Sequence, residues 1–332
     1  GTPAIVHFDT LGRPAIGIED NGTNGQYATT AKLDIEGNPL QIVDARANVA
    51  AQNKFDMLGR TLYAWSCDAG ARWSFMNAAG NPIRAWDSRD HVIRSVYDVL
   101  HRRTELRAKA GSAAEVLAEQ TIYGESQTTP EAKNLRGKVY QVKDGAGVAT
   151  NVEYDFKGNL LVAQRQLAQL ATTLSTQIDW TQSVPLEAET FVQETEYDAL
   201  NRPTSMTTPD QSVVKPSYNE AGLLDRVEGN VRGGATTIFV DDIDYDAKGQ
   251  RERIAYGDAT NGLGVVTEYD YDPLTYRVKH IKTTRTSDSA ILQDLRYFYD
   301  AVGNIVEMAD LAQNTVYHAG DIMEPVWKYA YD

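Results

Sequence analysis

The chain has 332 residues, carries a formal net charge of −14 and has a pI of about 4.8. This excess of negative charge argues against nucleic acid and against an anionic membrane surface as partners, because both would repel it. Cys67 is the only cysteine, which excludes a disulfide framework and a cysteine-rich metal site. No apolar run approaches the roughly 18 residues of a membrane-spanning helix, so we expect no membrane insertion by this chain.

An aromatic residue followed directly by aspartate recurs along the chain and usually opens the longer pattern aromatic-Asp-x-x-Gly-(Asn/Arg). Clear copies begin at Phe8 (FDTLGR), Phe55 (FDMLGR), Tyr154 (YDFKGN), Tyr245 (YDAKGQ) and Tyr299 (YDAVGN). Degenerate copies lie between them, reading LDIEGN, MNAAGN, YDVLHR, NLRGKV, YDALNR and YNEAGL. The shortest recurring step is about 21 residues, which predicts an array of about 12 repeats with insertions rather than a compact enzyme.

We predict that the motif residues are structural. An aspartate at the first turn position accepts hydrogen bonds from backbone N–H groups two residues on, and glycine accepts the positive φ that often follows a type I turn. The aromatic residue packs on a half-buried sheet. The predicted motif residues are Phe8, Asp9, Gly12, Phe55, Asp56, Gly59, Tyr97, Asp98, Gly137, Tyr154, Asp155, Gly158, Tyr197, Asp198, Tyr218, Gly222, Tyr245, Asp246, Gly249, Tyr271, Asp272, Tyr299, Asp300 and Gly303.

Each repeat reads as two short antiparallel strands and two tight turns. Residues 82–86 and 92–97 flank a polar turn at 87–90. Residues 138–143 and 148–154 flank a turn at 144–147, and alternate residues of the second run fall on opposite faces. About 12 units of two strands give roughly 24 strands and a strip on the order of 115 Å long. We therefore predict an all-β array of antiparallel hairpins forming a curved, open strip with two edge strands.

Two stretches, near residues 105–132 and 165–192, break the period. Residues 113–120 (AAEVLAEQ) have a helix-forming composition, and Leu167, Leu170 and Leu174 recur at helical spacing. We predict minor helical insertions or irregular loops at these places. The chain from 1 to 332 is otherwise predicted to be a single repeat segment.

Carboxylates alternate along two of the predicted strands. Asp242, Asp244 and Asp246 share one strand face, and Glu268, Asp270 and Asp272 share another. A calcium site or a glycosidase-like carboxylate pair is one interpretation. A solvated acidic face of the repeat is favoured, since the alternation is that of the repeat itself. We predict no metal site, no catalytic residue and no cofactor.

The aromatic residues also have two interpretations. The five tryptophans and many tyrosines could stack on sugar rings, but packing on the sheet is the favoured interpretation. The tryptophans are Trp65, Trp73, Trp86, Trp180 and Trp327.

The motif copies YDFKGN, YDALNRPTS, YDAKGQR, YDPLTYRV and YDAVGN resemble the YD repeats of the Rhs family over essentially the whole chain. The stretches that begin at Asn134 and Tyr197 are most similar to the Rhs-repeat region of bacterial insecticidal toxin-complex proteins. The resemblance implies a β-sheet strip that spirals into a hollow shell around a toxic C-terminal polypeptide, kept unfolded until delivery. Related repeats occur in toxins of bacterial competition and in teneurin adhesion proteins.

The sequence departs from a complete family member. It lacks the family's C-terminal core with its self-cleaving aspartates, and no variable toxin domain follows the repeats. We therefore carry over no protease residue, and we expect the chain to be a segment of a longer protein.

Three functions are compatible with these features. The favoured one is a non-catalytic wall segment of a toxin shell, secreted by a bacterium. Its partners would be the rest of its own longer chain or a companion shell subunit, together with the enclosed toxin polypeptide. The alternative is an extracellular binding module for glycans or a cell-surface receptor, which exposed aromatics at equivalent repeat positions would favour. An enzyme acting on carbohydrate is the least supported, because no motif supports it. It would need a cleft with two carboxyl groups about 5–10 Å apart and at least one raised pKa.

Overall fold

The computed structural model describes residues 3–169, 178–318 and 320–331. Nearly all regular structure in them is β-strand. The described residues also contain three short 3-10 helices, at Gly22–Asn24, Gly124–Ser126 and Pro130–Lys133. No helix in these ranges is long and apolar enough to cross a membrane.

The chain divides into two compact units. Among the described residues, the first comprises 3–152, 164–169 and 178–190, and the second comprises 153–163, 191–318 and 320–331. The strands of the first part of the chain are β1 (Ala4–Phe8), β2 (Pro14–Asp20), β3 (Gln26–Leu33), β4 (Pro39–Val43), β5 (Val49–Phe55), β6 (Thr61–Ser66), β7 (Gly70–Met76), β8 (Pro82–Asp87), β9 (His91–Tyr97), β10 (Arg103–Ala110), β11 (Val116–Tyr123), β12 (Val139–Asp144), β13 (Gly147–Tyr154) and β14 (Leu160–Leu167). Those of the second part are β15 (Phe191–Tyr197), β16 (Pro203–Thr207), β17 (Val213–Tyr218), β18 (Leu224–Asn230), β19 (Thr237–Tyr245), β20 (Arg251–Asp258), β21 (Leu263–Tyr271), β22 (Val278–Arg285), β23 (Ile291–Tyr299), β24 (Ile305–Asp310), β25 (Val316–His318), β26 (Asp321–Met323) and β27 (Val326–Lys328).

Consecutive strands pair antiparallel, as expected for an array of hairpins. In the first unit β1 through β13 pair in chain order, and in the second β15 through β24 do the same, after which β27 joins β24. The main sheet has 25 strands, and β25 and β26 form a separate hairpin. Among the described residues β1 pairs with β2 alone and β27 with β24 alone, so the sheet is open. The predicted all-β fold of antiparallel hairpins is confirmed.

The register of the hairpins shifts at the motif. The irregularity falls directly before the aromatic residue, for example between Lys54 and Phe55, between Asp244 and Tyr245, and between Phe298 and Tyr299. A hairpin loop made of a type I turn followed by a left-handed residue places such a bulge at the end of the strand. The motif therefore sets the strand register of each hairpin.

The two hairpins read from the sequence are present. The predicted strands at 82–86 and 92–97 are β8 and β9, and those at 138–143 and 148–154 are β12 and β13. Both predictions are confirmed.

Residues 113–120 were expected to form a short helical insertion or an irregular loop, but residues 116–120 are strand instead. Residues 116–123 form β11, which pairs with β10 on one side and β12 on the other. Two ladders of backbone hydrogen bonds outweigh the helix propensity of alanine, glutamate and leucine, which amounts to only a few tenths of a kcal/mol per residue. Leu167 is likewise a strand residue, at the end of β14, while Leu170 and Leu174 lie outside the described residues.

The buried core is thin. Few described side chains are less than one-tenth exposed, and they include Leu117, Val148 and Ala168 in the first unit and Ile243 and Ile254 in the second. In the first unit, residues 178–190 lie against the sheet near β11 to β14. There Leu117 donates its backbone N–H to the Asp179 carboxylate and accepts a hydrogen bond from the Trp180 N–H. Because so little apolar surface is buried, hydrogen bonds between the strands and within the turns contribute much of the stability of the fold.

Candidate functional site: the repeat turns

The motif aspartate organises each hairpin turn. At the first copy the backbone N–H of Asp9 donates to the carbonyl of Arg13 at 2.9 Å, and the N–H of Gly12 donates to the carbonyl of Asp9 at 3.0 Å. The Asp9 carboxylate oxygen Oδ1 accepts from the N–H groups of Leu11 at 2.8 Å and Arg13 at 3.0 Å. One carboxylate thus satisfies two N–H groups that the turn leaves unpaired.

The same four hydrogen bonds recur at other predicted motif aspartates: Asp56, Asp98, Asp155, Asp198, Asp246 and Asp300. At Asp272 the turn is one residue longer, since its N–H donates to the carbonyl of Arg277. The structure therefore places these predicted residues at equivalent turn positions.

The fourth motif position has a positive φ in the described copies that close with a four-residue step, and in the longer turn at Asp272 the fifth residue, Tyr276 (58°), takes that conformation. The predicted motif glycines have φ of 74° at Gly12, 73° at Gly59, 75° at Gly137, 95° at Gly158, 81° at Gly222, 81° at Gly249 and 104° at Gly303. Where the copy is degenerate, His101 (59°) and Asn201 (63°) adopt the left-handed conformation instead. The backbone conformation is thus the constant feature, and glycine is its usual but not its obligatory occupant.

The motif tyrosines do more than pack. The hydroxyl of Tyr245 donates to the carbonyl of Leu224 at 2.7 Å, and that of Tyr299 donates to the carbonyl of Val278 at 2.7 Å. Each acceptor lies about one repeat earlier, where a strand begins. Equivalent bonds are made by Tyr97 to Pro82, Tyr218 to Pro203 and Tyr271 to Arg251. Tyr154 is buried, Tyr197 is half-buried, and Phe8 is 60% exposed.

The residue after the motif glycine position connects one turn to the next. Arg13 pairs with Asp9 at 2.7 Å, and its Nη1 donates to the carbonyls of Asp34 and Ile35 in the following turn, each at 3.0 Å. Arg60 pairs with Asp56 in the same way and reaches the carbonyl of Asn77. The last position of the motif, Asn or Arg, is occupied by these arginines, and the sequence pattern alone indicated no role for it.

Arginines of this kind also stack on the aromatic residue of the next repeat. The guanidinium of Arg102 lies 3.9 Å from the ring centroid of Tyr123, and that of Arg202 lies 4.3 Å from the ring of Tyr218. Such cation–π contacts contribute roughly 0.5–1 kcal/mol at exposed sites. We call this series of aspartate, arginine or asparagine, and tyrosine contacts the turn ladder.

Hydrogen bonding lowers the pKa of several aspartates in the turn ladder. The side chain of Arg13 lowers the pKa of Asp9, and the side chain of Asn38 lowers the pKa of Asp34. At Asp87 the side chain of His91 lowers the pKa to about 2. Every shift resolved for a described aspartate or glutamate is downward, which is opposite to the raised pKa that a general acid requires.

Some turns were missed in the sequence. Asp44 and Thr208 begin turns with the same backbone hydrogen bonds, closed by Asn48 and Ser212. Neither copy has an aromatic residue before it or a glycine at the fourth position. The pair of Asp44 with an asparagine four residues on was the available signal, because that pair recurs at Asp155 and Asp300.

The alternating carboxylates do not gather into a metal site. Asp242 pairs with Arg253 at 2.8 Å, and Asp244 lies 3.5 Å from the same guanidinium, while Asp246 holds a turn. Within the described ranges no cluster of three or more His, Cys, Asp or Glu side chains could hold a metal ion. Trp73 packs between Tyr63 and Trp86, with ring centroids 5.5 and 6.0 Å away.

Comparison with known proteins links this geometry to toxin complexes. No protein-family profile matches the chain. It is 25% identical over 368 aligned residues to the toxin subunit YenC2 of Yersinia entomophaga, an alignment that covers 100% of this chain and 37% of YenC2. YenC1 of the same organism is 27% identical over 228 residues, covering 66% of this chain and 22% of YenC1. The chain therefore spans well under half the length of these relatives.

Solved structures show the same fold. The crystal structure of TcdB2–TccC3–Cdc42 superposes with a TM-score of 0.87 at 25% identity, covering 100% of this chain and 16% of that one. The Tc holotoxin pore of Photorhabdus luminescens has a TM-score of 0.87 at 24% identity, covering 99% and 16%. The chain is thus homologous to the YenC toxin subunits and has the fold of a segment of the Tc toxin shell seen in TcdB2–TccC3, with which its Rhs-type repeats agree.

Proposed function

We propose that this chain is a non-catalytic wall segment of a secreted bacterial toxin shell that encloses a toxic polypeptide before delivery. The observation that carries the proposal is the likeness to TcdB2–TccC3, which extends over the whole described fold. One of the solved relatives is TcdB2–TccC3 without its hypervariable C-terminal region. By analogy, the enclosed partner of this chain would be a C-terminal polypeptide, and its wall partner a companion shell subunit or the rest of its own chain.

The turn ladder supports a wall rather than a chemical role. Its carboxylates are occupied by turn N–H groups and by arginine or asparagine side chains, so they are not available to act on a substrate. A wall of paired strands needs register and stiffness more than a deep core, and the ladder supplies links between successive turns. The predominance of backbone pairing over side-chain burial fits this role.

The motif aromatics do not favour the alternative of a receptor-binding surface. Tyr97, Tyr218, Tyr245, Tyr271 and Tyr299 use their hydroxyl groups on backbone carbonyls of the preceding repeat. Rings held in this way are half-buried elements of the sheet. These tyrosines therefore do not form the row of exposed aromatic side chains that the binding-module interpretation needs.

The test is purification of the native complex from the producing bacterium with an antibody against this chain. We expect a companion toxin subunit to co-purify and a polypeptide within the complex to resist proteinase K under native conditions. Addition of urea should open the shell and make that polypeptide digestible. Recovery of the chain with no companion, or immediate digestion of every associated polypeptide, would overturn the proposal.

A matched control uses Gly303→Val in the same cells. The variant weakens a turn of the proposed wall, so protection should fail at a lower urea concentration than in the wild type. If protection fails at the same urea concentration in both proteins, protection does not depend on the stability of this wall segment.

A further inference from the structure

We propose that a polar pocket in the first unit is a binding site for a small neutral saccharide. The pocket has a volume of about 350 Å³, which is near the lower end of the roughly 300–1,000 Å³ typical of small-molecule sites. The inference does not depend on the proposed shell function.

The floor of the pocket is one face of three strands. On β12 and β13, Gln141 pairs with Thr150 and Lys143 pairs with Val148, so these four side chains share a face. Gln164 and Gln166 of β14 complete the floor. The polar side chains of the floor are therefore Gln141 and Lys143 on β12, Thr150 on β13, and Gln164 and Gln166 on β14.

The segment of residues 180–190 also lines the pocket, and hydrogen bonds to strand carbonyls hold it in place. The indole Nε1–H of Trp180 donates to the carbonyl of Asp144 at 3.0 Å, and the N–H of Glu187 donates to the carbonyl of Leu167 at 2.8 Å. The Trp180 ring lines the pocket, with the Lys143 ammonium 5.7 Å from its centroid. The site is therefore formed before any ligand binds, which lowers the entropic cost of binding.

The lining chemistry selects a neutral, hydroxyl-rich ligand. Amide side chains offer both donors and acceptors, as sugar hydroxyls do. Lys143 is the one charged side chain among the lining residues, so an anion would find a single cation and a metal ion no carboxylate. The polar walls disfavour an apolar ligand, whereas an indole ring provides an apolar face for the C–H side of a pyranose.

Part of this hydrogen-bonding capacity is unused. Gln141 donates its Nε2–H to Thr150 Oγ1 at 3.1 Å, and Gln166 donates to the carbonyl of Glu187 at 2.7 Å. Among the described residues Gln164 has no side-chain hydrogen-bond partner, although it is only half-exposed and lines the pocket. A half-buried amide without a protein partner is the group that a ligand hydroxyl would satisfy.

The experiment is saturation-transfer difference NMR on the purified 332-residue chain. The probes are glucose, galactose, mannose and N-acetylglucosamine, each at millimolar concentration, with glucose 6-phosphate as a charged comparison. We expect transfer to the ring protons of at least one neutral sugar. Gln164→Ala should weaken that binding about tenfold, equivalent to about 1.4 kcal/mol, and should fold normally because it removes no hydrogen bond.

The matched control is Gln120→Ala, the same change on β11 outside the pocket, which should leave binding unchanged. The proposal is overturned if no neutral sugar shows transfer, or if Gln164→Ala binds as the wild type does. Binding of glucose 6-phosphate alone would overturn the neutral class in favour of an anion held by Lys143.

Discussion

At the scale of single residues, the turn conformation rather than residue identity is what the repeat preserves. Gly303 has a φ of 104°, far from the left-handed region near 57° that other residues tolerate. A Cβ at this position would also displace the guanidinium of Arg277, which lies at the far end of a flexible side chain. Gly12, with a φ of 74°, has open space around it, and Asn201 already occupies the equivalent position of another copy.

These differences predict an ordering of glycine variants. Gly303→Val should destabilise the protein by about 1 to 3 kcal/mol, because it places a β-branched residue in a strained backbone conformation and displaces the Arg277 guanidinium. Gly12→Asn should cost less than about 1 kcal/mol, since asparagine adopts the left-handed conformation readily. Thermal unfolding of both variants checks the order, and the reverse order would contradict the turn assignment.

The motif aspartates are not equivalent to one another. Asp155 accepts from two backbone N–H groups and from the amide of Asn159, and Asp155→Asn keeps an oxygen for the backbone donors. Asp56 makes the same backbone contacts but also pairs with Arg60 at 2.6 Å. We expect Asp56→Asn to lower the melting temperature more than Asp155→Asn does. A higher salt concentration should reduce the difference between the two losses in melting temperature, because salt screens the ion pair. Equal effects at low salt would show that the ion pair contributes nothing.

The lowered aspartate pKa values give stability a defined pH dependence. A group whose pKa is lower in the folded state stabilises that state fully above its unfolded value, and the contribution disappears as pH falls through the folded value. For Asp87 the window extends from the ordinary value of 3.8 down to about 2. The stability advantage of the wild type over Asp87→Asn should therefore shrink between pH 4 and pH 2, measured by urea unfolding. A constant difference over that range would argue against the hydrogen bond from His91.

At the scale of strands and hairpins, the repeat period predicted what local composition did not. The aromatic-Asp-x-x-Gly pattern located the turns at Asp9, Asp56 and Asp300 because it encodes both the carboxylate and the positive φ. A helical insertion or an irregular loop was expected where β11 lies, because its residues favour helix locally and its partners, β10 and β12, are set by the topology. The links made by Arg13 and Arg60 between turns could not be read from the sequence, since they depend on which turns are neighbours in space.

The tyrosine hydroxyls test how far neighbouring repeats are coupled. Removing the hydroxyl with Tyr245→Phe or Tyr299→Phe deletes one hydrogen bond to the preceding repeat, and each change should cost about 0.5 to 1.5 kcal/mol. Tyr140→Phe is the matched control, because the Tyr140 hydroxyl has no hydrogen-bond partner among the described residues. Urea unfolding of the three variants gives the comparison. A loss at Tyr140 equal to that at the other two positions would mean that the cross-repeat bonds contribute no net stability.

At the scale of the whole molecule, the sheet is open and its first strand has an unusual surface. All five residues of β1 are exposed, and they include Ile5 at 43%, Val6 at 48% and Phe8 at 60%. Edge strands of soluble proteins are normally protected by charge, proline or a covering segment, since their unpaired N–H and C=O groups invite another chain. An apolar edge of this kind fits a protein whose edge is covered when it is part of a larger assembly.

We therefore expect the isolated 332-residue chain to self-associate through β1. Val6→Lys places a charge on this edge and should shift the population towards the monomer, because a buried lysine opposes strand addition. Val99→Lys is the control, as it adds the same charge at a turn residue that is 95% exposed and away from the edge. Light scattering over a concentration series distinguishes the three proteins. A wild type that stays monomeric at high concentration, or a Val99→Lys variant that dissociates as fully as Val6→Lys, would show that the edge of β1 does not drive association.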